Sequence, residues 1–410
     1  MLSPRGLLRA VAGAALVISL VGPAWAQAGS VLTLPEALAR AEAQAPALAE
    51  AKAAVDAARG RTQQAGFIPN PEARLEVENF SGSGLYSGLD LAETTLAIGQ
   101  TIEMGGKRES RIAAGNAEVI AAETRQTIAR ADLNLEVRRL FANALASREQ
   151  AALAQGALDR ARDLSRVAQT LVDAGREPPL RALRARSAAA EAEAELQRIS
   201  AEDSASRAAL AALLGDTVAP TAIIGTFEAL TDTPRLVDPT ETLDVRLALA
   251  EAESARAVVS RERASAATDI TVELGAKRFE DSHDTAVVFG LSMPIPIFDR
   301  NQGNIAAASA DVNAANARRL RALAEAVRGM NEADSLLRAA QARVTTLETS
   351  AVPAANEALE LARAGFEAGR FTLLDVLDAE EAFASAQSAL IDARRDRANA
   401  AAALSRAVAR

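Results

Sequence analysis

Apolar residues recur along this chain with two different periods. Between residues 107 and 172 they fall three and four apart, at Leu133, Val137, Leu140 and Ala144, then at Leu153, Ala157, Ala161, Leu164, Ala168 and Leu171. That spacing lines one face of an α-helix. No proline interrupts the stretch, only Gly115 and Gly156. About 65 residues at a rise of ~1.5 Å make a rod of roughly 100 Å, far longer than the helices of a globular core. In the second half Leu323, Met330, Leu337 and Val344 fall at sevens, a coiled-coil spacing. Pro353 is expected to kink or break that second rod. Shorter helical patterns flank the rods at residues 35–66, 178–214, 241–267 and 372–409. Two of these laid end to end match one rod, which predicts a cross-section of four antiparallel helices per chain.

The second period is two. Residues 73–80 alternate Leu75 and Val77 against Arg74, Glu76 and Glu78, and residues 94–102 place Leu96, Ile98 and Ile102 on one face. Residues 270–278 set Ile270, Val272 and Leu274 against Thr271, Glu273 and Lys277, and residues 285–293 align Val287, Phe289, Leu291 and Met293. Strands of about nine or ten residues, apolar on one side and polar on the other, suit a transmembrane β-barrel. Four strands cannot close alone, and open edges are not tolerated in lipid, so such a barrel is shared between chains. Two surface hairpins on a soluble helical bundle are the plain alternative.

The pattern is written twice, with a period of about 190–200 residues. Ala49-Glu-Ala-Lys-Ala53 returns as Ala250-Glu-Ala-Glu-Ser254, Arg111-Ile-Ala-Ala114 as Asn304-Ile-Ala-Ala307, and Ala174-Gly-Arg176 as Ala368-Gly-Arg370. The predicted organisation is a first repeat over 27–219, a proline-punctuated linker or small irregular unit over 220–240, and a second repeat over 241–410. The junction from strand to rod differs between the copies. The first uses Gly105 and Gly106 as a turn; the second uses PIPIFDRNQGN, where Pro294 and Pro296 cannot donate ladder hydrogen bonds and so end the pairing. Asp299 or Asn301 is expected to cap the incoming helix.

Composition narrows the setting. The 410 residues are 49% hydrophobic but only 3% aromatic, and alanine packs long thin helices better than a wide core. Arg5 and Arg9, an apolar run over 10–21 and Pro23-Ala24-Trp25-Ala26 form a signal peptide, with cleavage expected between Ala26 and Gln27. The leader holds two positive charges and no acids, so the mature chain is two charges more negative than the −9 of the whole. An acidic surface of this kind disfavours nucleic acid as a partner. There is no cysteine, hence neither a disulfide staple nor a site for lipid attachment. Beyond residue 26 no run of roughly 18 apolar residues remains, so any membrane crossing is made by strands. The one histidine, His283, lies in a predicted loop with Glu280, Asp281 and Asp284. Its plain reading is a solvated loop and its functional one a weak cation site. No nucleophile–base pair or metal-ligand spacing is present, which argues against an enzyme, and no cofactor is implied. Methionine is too sparse to cluster for soft copper or silver ions.

Three stretches carry a resemblance: GQTIEMGGKRESRIAAGNAE at 99–118, MPIPIFDRNQGNIAAASADV at 293–312 and LARAGFEAGRFTLLDVLDAEEAF at 361–383. In this order behind a leader, they make the chain resemble the TolC-like outer-membrane efflux family, its CzcC-like heavy-metal cation branch above all. The resemblance implies a homotrimer with a 12-stranded barrel in outer-membrane lipid and a helical tunnel through the periplasm. It also implies a periplasmic adaptor and an inner-membrane proton-driven transporter of the RND type as partners. On this pattern the turns at Gly175 and Gly369 form the periplasmic, adaptor-docking tip. Asp375 and Asp378, three apart at the start of the last helix, share a face and become acidic rings at a cation-selecting entrance under threefold symmetry. Arg181 and Arg184 hold the matching places in the first copy and are candidates to pair with those acids in a closed state. The plain reading of the aspartates is stabilisation of a helix N-terminus. The absence of tryptophan after the leader and the single tyrosine, Tyr86, depart from the usual aromatic girdle. A drug, solvent or type I secretion channel and a periplasmic coiled-coil scaffold or adhesin are the rival functions.

Overall fold

The computed structural model describes residues 31–232 and 234–410. The expected cleavage site at Ala26 and Gln27 lies outside the described residues. In chain order the elements are β1 (Val31–Leu32), α1 (Leu34–Gln44), α2 (Pro46–Ala65), β2 (Glu72–Glu78), β3 (Glu93–Ile102), α3 (Lys107–Asp173) and α4 (Pro179–Leu214). Then follow β4 (Ala222–Ile223), α5 (Leu243–Ser265), β5 (Ile270–Phe279), β6 (Thr285–Ser292), α6 (Gln302–Thr346), α7 (Val352–Glu367) and α8 (Leu373–Ala407).

The first rod is a single helix of 67 residues, about 100 Å long, and it runs through Gly156 unbroken. The second does not break at Pro353. Instead residues Leu347–Ala351 form one π-turn between α6 and α7, and Thr346, Leu347, Ala351 and Val352 all keep right-handed helical angles. Proline removes a donor and crowds the carbonyl four residues back; one wider turn relieves both, and the rod continues. The expected helix over 35–66 is two helices, because Ala45 precedes Pro46 and is extended at φ −63°, ψ 124°.

The helices pack as a curtain four wide. The first half of α3 meets α2, with Val55 and Ala58 against Val119 and Ala122, and its far end meets α4, with Ala168 near Ala185. On its other side α3 contacts α5 and then α8, and α6 continues the layer beyond them. The half-length helices therefore do sit end to end beside the rods. Of the sevenfold positions, Met330, Leu337 and Val344 are buried. Alanines such as Ala121, Ala142, Ala144, Ala252 and Ala393 are shielded fully from solvent. Each buried methyl contributes only ~0.8 kcal/mol, so stability rests on the length of the contacts.

The largest core lies at mid-rod, where Phe141, Leu145, Leu210 and Leu214 gather with Leu32, Ile223 and Phe227. Ile223, Phe227 and Leu230, from the stretch between the two expected repeats, are buried in this core. Residues 222–230 pack across the rods as a strap, with Ala222–Ile223 paired in parallel to Val31–Leu32.

Strands β2 to β6, apart from the short β4, form one antiparallel sheet in the order β2-β3-β5-β6. The β3–β5 pairing joins the two hairpins in unbroken register from Glu93↔Phe279 to Ile102↔Ile270.

Candidate functional site

The sheet has one apolar and one polar face. Leu75, Val77, Leu96, Ile98, Ile102, Leu274, Val287, Phe289 and Leu291 share the first, and all are exposed. Charges on the other face pair with one another: Arg74 with Glu76 at 3.1 Å, and Lys277 with Glu78 at 2.7 Å and also with Glu93. Glu273 has no cationic partner among the described residues. It lies in one cross-strand row between Gly99 and Gly290. A Cβ on Gly99 would sit 3.2 Å from its Cγ, and one on Gly290 3.3 Å from its Cβ, so the glycines let this side chain lie against the sheet.

The two outer strands are complementary. Phe279 N–H donates to the Asp284 carbonyl at 3.0 Å, and Glu280 N–H to the Ala92 carbonyl at 3.1 Å. In a ladder of unbroken register these bonds fix which neighbour each residue's backbone faces. Along β6 the odd-numbered residues turn their N–H and C=O to the open edge. Along β2 it is again the odd-numbered ones, Ala73, Leu75 and Val77. Their side chains are those of the apolar face. Pro69 and Pro71 have the same parity, so the edge donors of β2 stop at Ala73.

Both joints to the rods use left-handed backbone. Gly105 and Gly106 each have φ +70°, and a Cβ on Gly105 would meet the Cβ of Ala267 at 2.3 Å. Charges hold the first joint: Lys107 reaches Asp269 at 2.7 Å, and Asp269 accepts from Met104 N–H at 3.1 Å. Arg111 grips both oxygens of Glu103 and donates to the carbonyls of Ala65 and Phe67. This hydrogen bonding to Arg111 holds the Glu103 carboxyl below its usual range. At the second joint β6 ends at Ser292, before Pro294 and Pro296. The capping expected of Asp299 or Asn301 does not occur. Asn301 is itself left-handed at φ 59°, and its amide donates to the Glu262 carbonyl (2.7 Å) and carboxylate (2.9 Å), tying the joint to α5. Asp299 instead accepts from Asn301 N–H at 2.8 Å.

At the opposite end, Gly175 (φ +68°) and Gly369 (φ +72°) close α3 and α7 in the same way. Arg176 N–H returns to the Leu171 carbonyl at 2.9 Å, and Arg370 N–H to the Gly365 carbonyl at 2.7 Å. These are six-to-one bonds of the glycine-terminated helix end. Asp375 and Asp378 are exposed at the start of α8, opposite the buried Leu373 and Val376. Asp375 is also the third residue of a capping box. Its Oδ2 accepts from Thr372 N–H at 2.6 Å and from the Thr372 hydroxyl at 2.7 Å, and these bonds hold its carboxyl below the usual range. Arg181 pairs with Glu177, in the turn just before α4. Neither arginine meets Asp375 or Asp378 within the chain, and Arg184 and Asp378 form no ion pair among the described residues.

Sequence reasoning missed the contacts just beside the aspartates. Arg160 of α3 donates to Glu380 of α8 at 2.8 Å, and Glu380 also takes Arg363 of α7. The Arg160 guanidinium lies 5.6 Å from the centre of the Phe383 ring. Gly365 has no room for a side chain, since its Cβ would fall 2.1 Å from the Phe371 ring. Arg363, Gly365, Phe371, Glu380 and Phe383 all belong to the 361–383 stretch, which was the available signal. His283 (φ 55°) stands in the β5–β6 turn with Nδ1 3.9 Å from a Glu280 oxygen. Among the described residues no group of three or more His, Cys, Asp or Glu could hold a metal ion, and no helix is long and apolar enough to cross a membrane.

A family model described as outer membrane efflux protein matches residues 37–216 and 240–410. The cobalt-zinc-cadmium resistance protein CzcC of Cupriavidus metallidurans is 34% identical over 359 residues, 86% of this chain and 84% of that protein. The nickel-cobalt-cadmium resistance protein NccC of Alcaligenes xylosoxydans is 32% identical over 310 residues, 75% of this chain and 70% of that one. Among solved structures, the outer membrane protein VceC of Vibrio cholerae superposes with a TM-score of 0.76 at 25% identity, covering 92% of this chain and 95% of its own.

Proposed function

The chain belongs to the outer membrane efflux protein family, and from that premise we propose that it is the passive exit duct of a tripartite pump for heavy-metal cations. In this reading three copies, each freed of its leader after Ala26, close a 12-stranded barrel in the outer membrane and a helical tunnel beneath it. A periplasmic adaptor docks at the Gly175 and Gly369 turns and connects the duct to an inner-membrane RND transporter. Asp375 and Asp378 ring the entrance, and Arg181 and Arg184, on the neighbouring helix pair, are their candidate closed-state partners. The metal cargo follows the resistance proteins that the chain is similar to, which are named for cobalt, zinc, cadmium and nickel.

The observation that carries the reading is the match between the open edges of β2 and β6. An antiparallel ladder needs residues that face each other to carry side chains on the same side. The free groups of both edges sit on residues of the apolar face, so joining β6 of one copy to β2 of the next satisfies the backbone and continues the apolar surface together. An unsatisfied edge in hydrocarbon costs several kcal/mol per group, which makes a lone four-stranded sheet untenable there. The element order supports an internal duplication: α2-β2-β3-α3-α4, then α5-β5-β6-α6/α7-α8, with residues 220–240 between the repeats.

Deleting the gene and restoring it on a plasmid tests the function. The expected result is lost and regained growth on cobalt, zinc or cadmium salts, with tolerance of dyes and solvents unchanged. Sensitivity confined to dyes and solvents would favour the drug-export reading; wild-type tolerance of every compound would sink both. A periplasmic scaffold or adhesin predicts no conductance in bilayers.

A further inference from the structure

The hydrogen-bonded sheet is too short at its outer strands for the membrane it is proposed to cross. β3 and β5 have 10 residues each, but β6 has 8 and β2 only 7. A transmembrane strand needs about 9–11. Eight residues at ~3.4 Å, tilted by about 40°, rise only ~20 Å against an apolar band of about 25 Å.

The apolar alternation does not stop where the ladder stops. Beyond Leu291 it continues in phase through Met293 and Ile295, which are 53% and 75% exposed; Ile297 N–H then turns back onto the Ile295 carbonyl at 3.0 Å, and the apolar run closes on the exposed Ile297 (63%) and Phe298 (89%). No charge occurs between Asp284 and Asp299. Pro294 and Pro296 fall on the alternate positions, whose backbone would face β5, and β5 has no residue left to pair there. Pro294 thus leaves no donor stranded as the segment runs on to Ile295, and Pro296 sits at the centre of the tight turn that ends it. Running the extended segment to Ile295 brings the rise to about 28 Å, enough for the band. Before β2 the exposed Phe67 (55%) and Ile68 (66%) play the same part on the other outer strand.

We propose that residues 293–298, with Phe67 and Ile68, are an anchor in the periplasmic leaflet of the membrane, seating the barrel-to-rod joint at the acyl–headgroup boundary. The proposal rests on the outer-membrane reading above. Lipid is the chosen occupant on geometric grounds. A second copy approaches a barrel strand in the plane of the sheet, along its edge. The side chains of Met293 and Ile295 stand out of that plane, in phase with the face already assigned to lipid, and the exposed Ile297 and Phe298 follow at the turn. Asp299 and Arg300 follow at once, and charged groups at that point set the lower limit of the apolar surface. Phenylalanines here take the place of the tyrosine and tryptophan girdle that the sequence lacks.

The test uses the full mature chain, whose sequence after the leader contains no tryptophan. Phe298→Trp, with Ile297→Trp as a second variant, places one fluorophore in the anchor; Phe289→Trp places one in mid-sheet as a control. Each is reconstituted into vesicles of phosphatidylcholine brominated either near the headgroup or near the chain end. The expected result is loss of anchor emission with the headgroup-proximal bromine and a smaller loss with the deep one, while the control is quenched by both. If only the control is quenched and the anchor is reached by aqueous acrylamide, the anchor is wrong and the barrel reading stands. An anchor shielded from both bromine and acrylamide means that another copy covers it, which also overturns the proposal. If the control itself escapes lipid quenching, the membrane reading falls and the anchor with it.

Discussion

Arg160 on α3 and Glu380 on α8 meet at 2.8 Å, and the same carboxylate takes Arg363 from α7, so one acid links three of the four helices converging on the tip. The Arg160 and Glu380 side chains are only 24% and 18% exposed. Removing one partner of a sheltered pair leaves the other charge uncompensated. Glu380→Gln is expected to cost about 2 kcal/mol locally, read as roughly thirtyfold faster amide exchange over residues 160–170 and 360–385. Unchanged exchange there would mean that apolar packing of Phe366 and Val376 alone holds the tip.

Two glycines separate conformational strain from steric clash. Gly105→Ala adds a methyl 2.3 Å from the Ala267 Cβ at a φ of +70°, so strain and overlap combine to about 2–4 kcal/mol and the yield of assembled protein falls. At Gly369 (φ +72°) a Cβ meets nothing within 4 Å. Gly369→Val therefore brings only backbone strain of ~1–2 kcal/mol. It is expected to leave trimers intact and to abolish export by altering the docking turn. Unaltered metal resistance in this variant would contradict the docking role.

The aspartates of α8 need a test that separates charge from capping, because Asp375 does both. Asp375→Ala with Asp378→Ala is expected to raise resting conductance and to lower cation preference. Thr372→Val removes the capping hydroxyl, at about 1 kcal/mol, but leaves both charges, so cation preference should survive it. A carboxyl depressed on folding adds stability above its unfolded pKa and loses it as pH falls through the folded one. The Asp375 contribution should therefore persist at roughly pH 5 and vanish only below the ordinary carboxylate range. Selectivity that follows Thr372 and not the acids would support simple helix capping.

Since the chain has no cysteine, paired substitutions report directly on barrel closure. Ala73→Cys or Leu75→Cys on β2, combined in turn with Val287→Cys, Phe289→Cys or Leu291→Cys on β6, should give covalent trimers under oxidation in at least one combination. Facing strand positions are close enough for a disulfide. Monomers only, across the whole set, would refute the edge-to-edge barrel.

The rods and strands were legible because each is long and strictly periodic. The 67-residue α3 and all four sheet strands fall within two residues of where their periods place them. What escaped was short or non-local. The Val31–Leu32 pairing with Ala222–Ile223 spans only two residues a side and joins segments about 190 residues apart, with no period to betray it. Pro353 was misleading because a proline's helix-breaking effect assumes α geometry, and one π-turn supplies another. Asn301 was expected to cap its own helix, whereas its left-handed backbone turns the amide towards Glu262. At the tip, the resemblance pointed to Asp375 and Asp378, but the Arg160–Glu380 contact joins residues 220 apart in sequence, which no local pattern records.

The account's central claim, a closed trimeric duct with an acidic path for cations, is tested most directly in a planar lipid bilayer. The purified full-length mature protein, held under a salt gradient, should give discrete conductance steps with a reversal potential displaced towards that of the cation. Glu273→Gln in the barrel and the double aspartate variant at the tip should each move that potential towards zero. Conductance that never rises above the bare bilayer, or a reversal potential on the anion side, would contradict it.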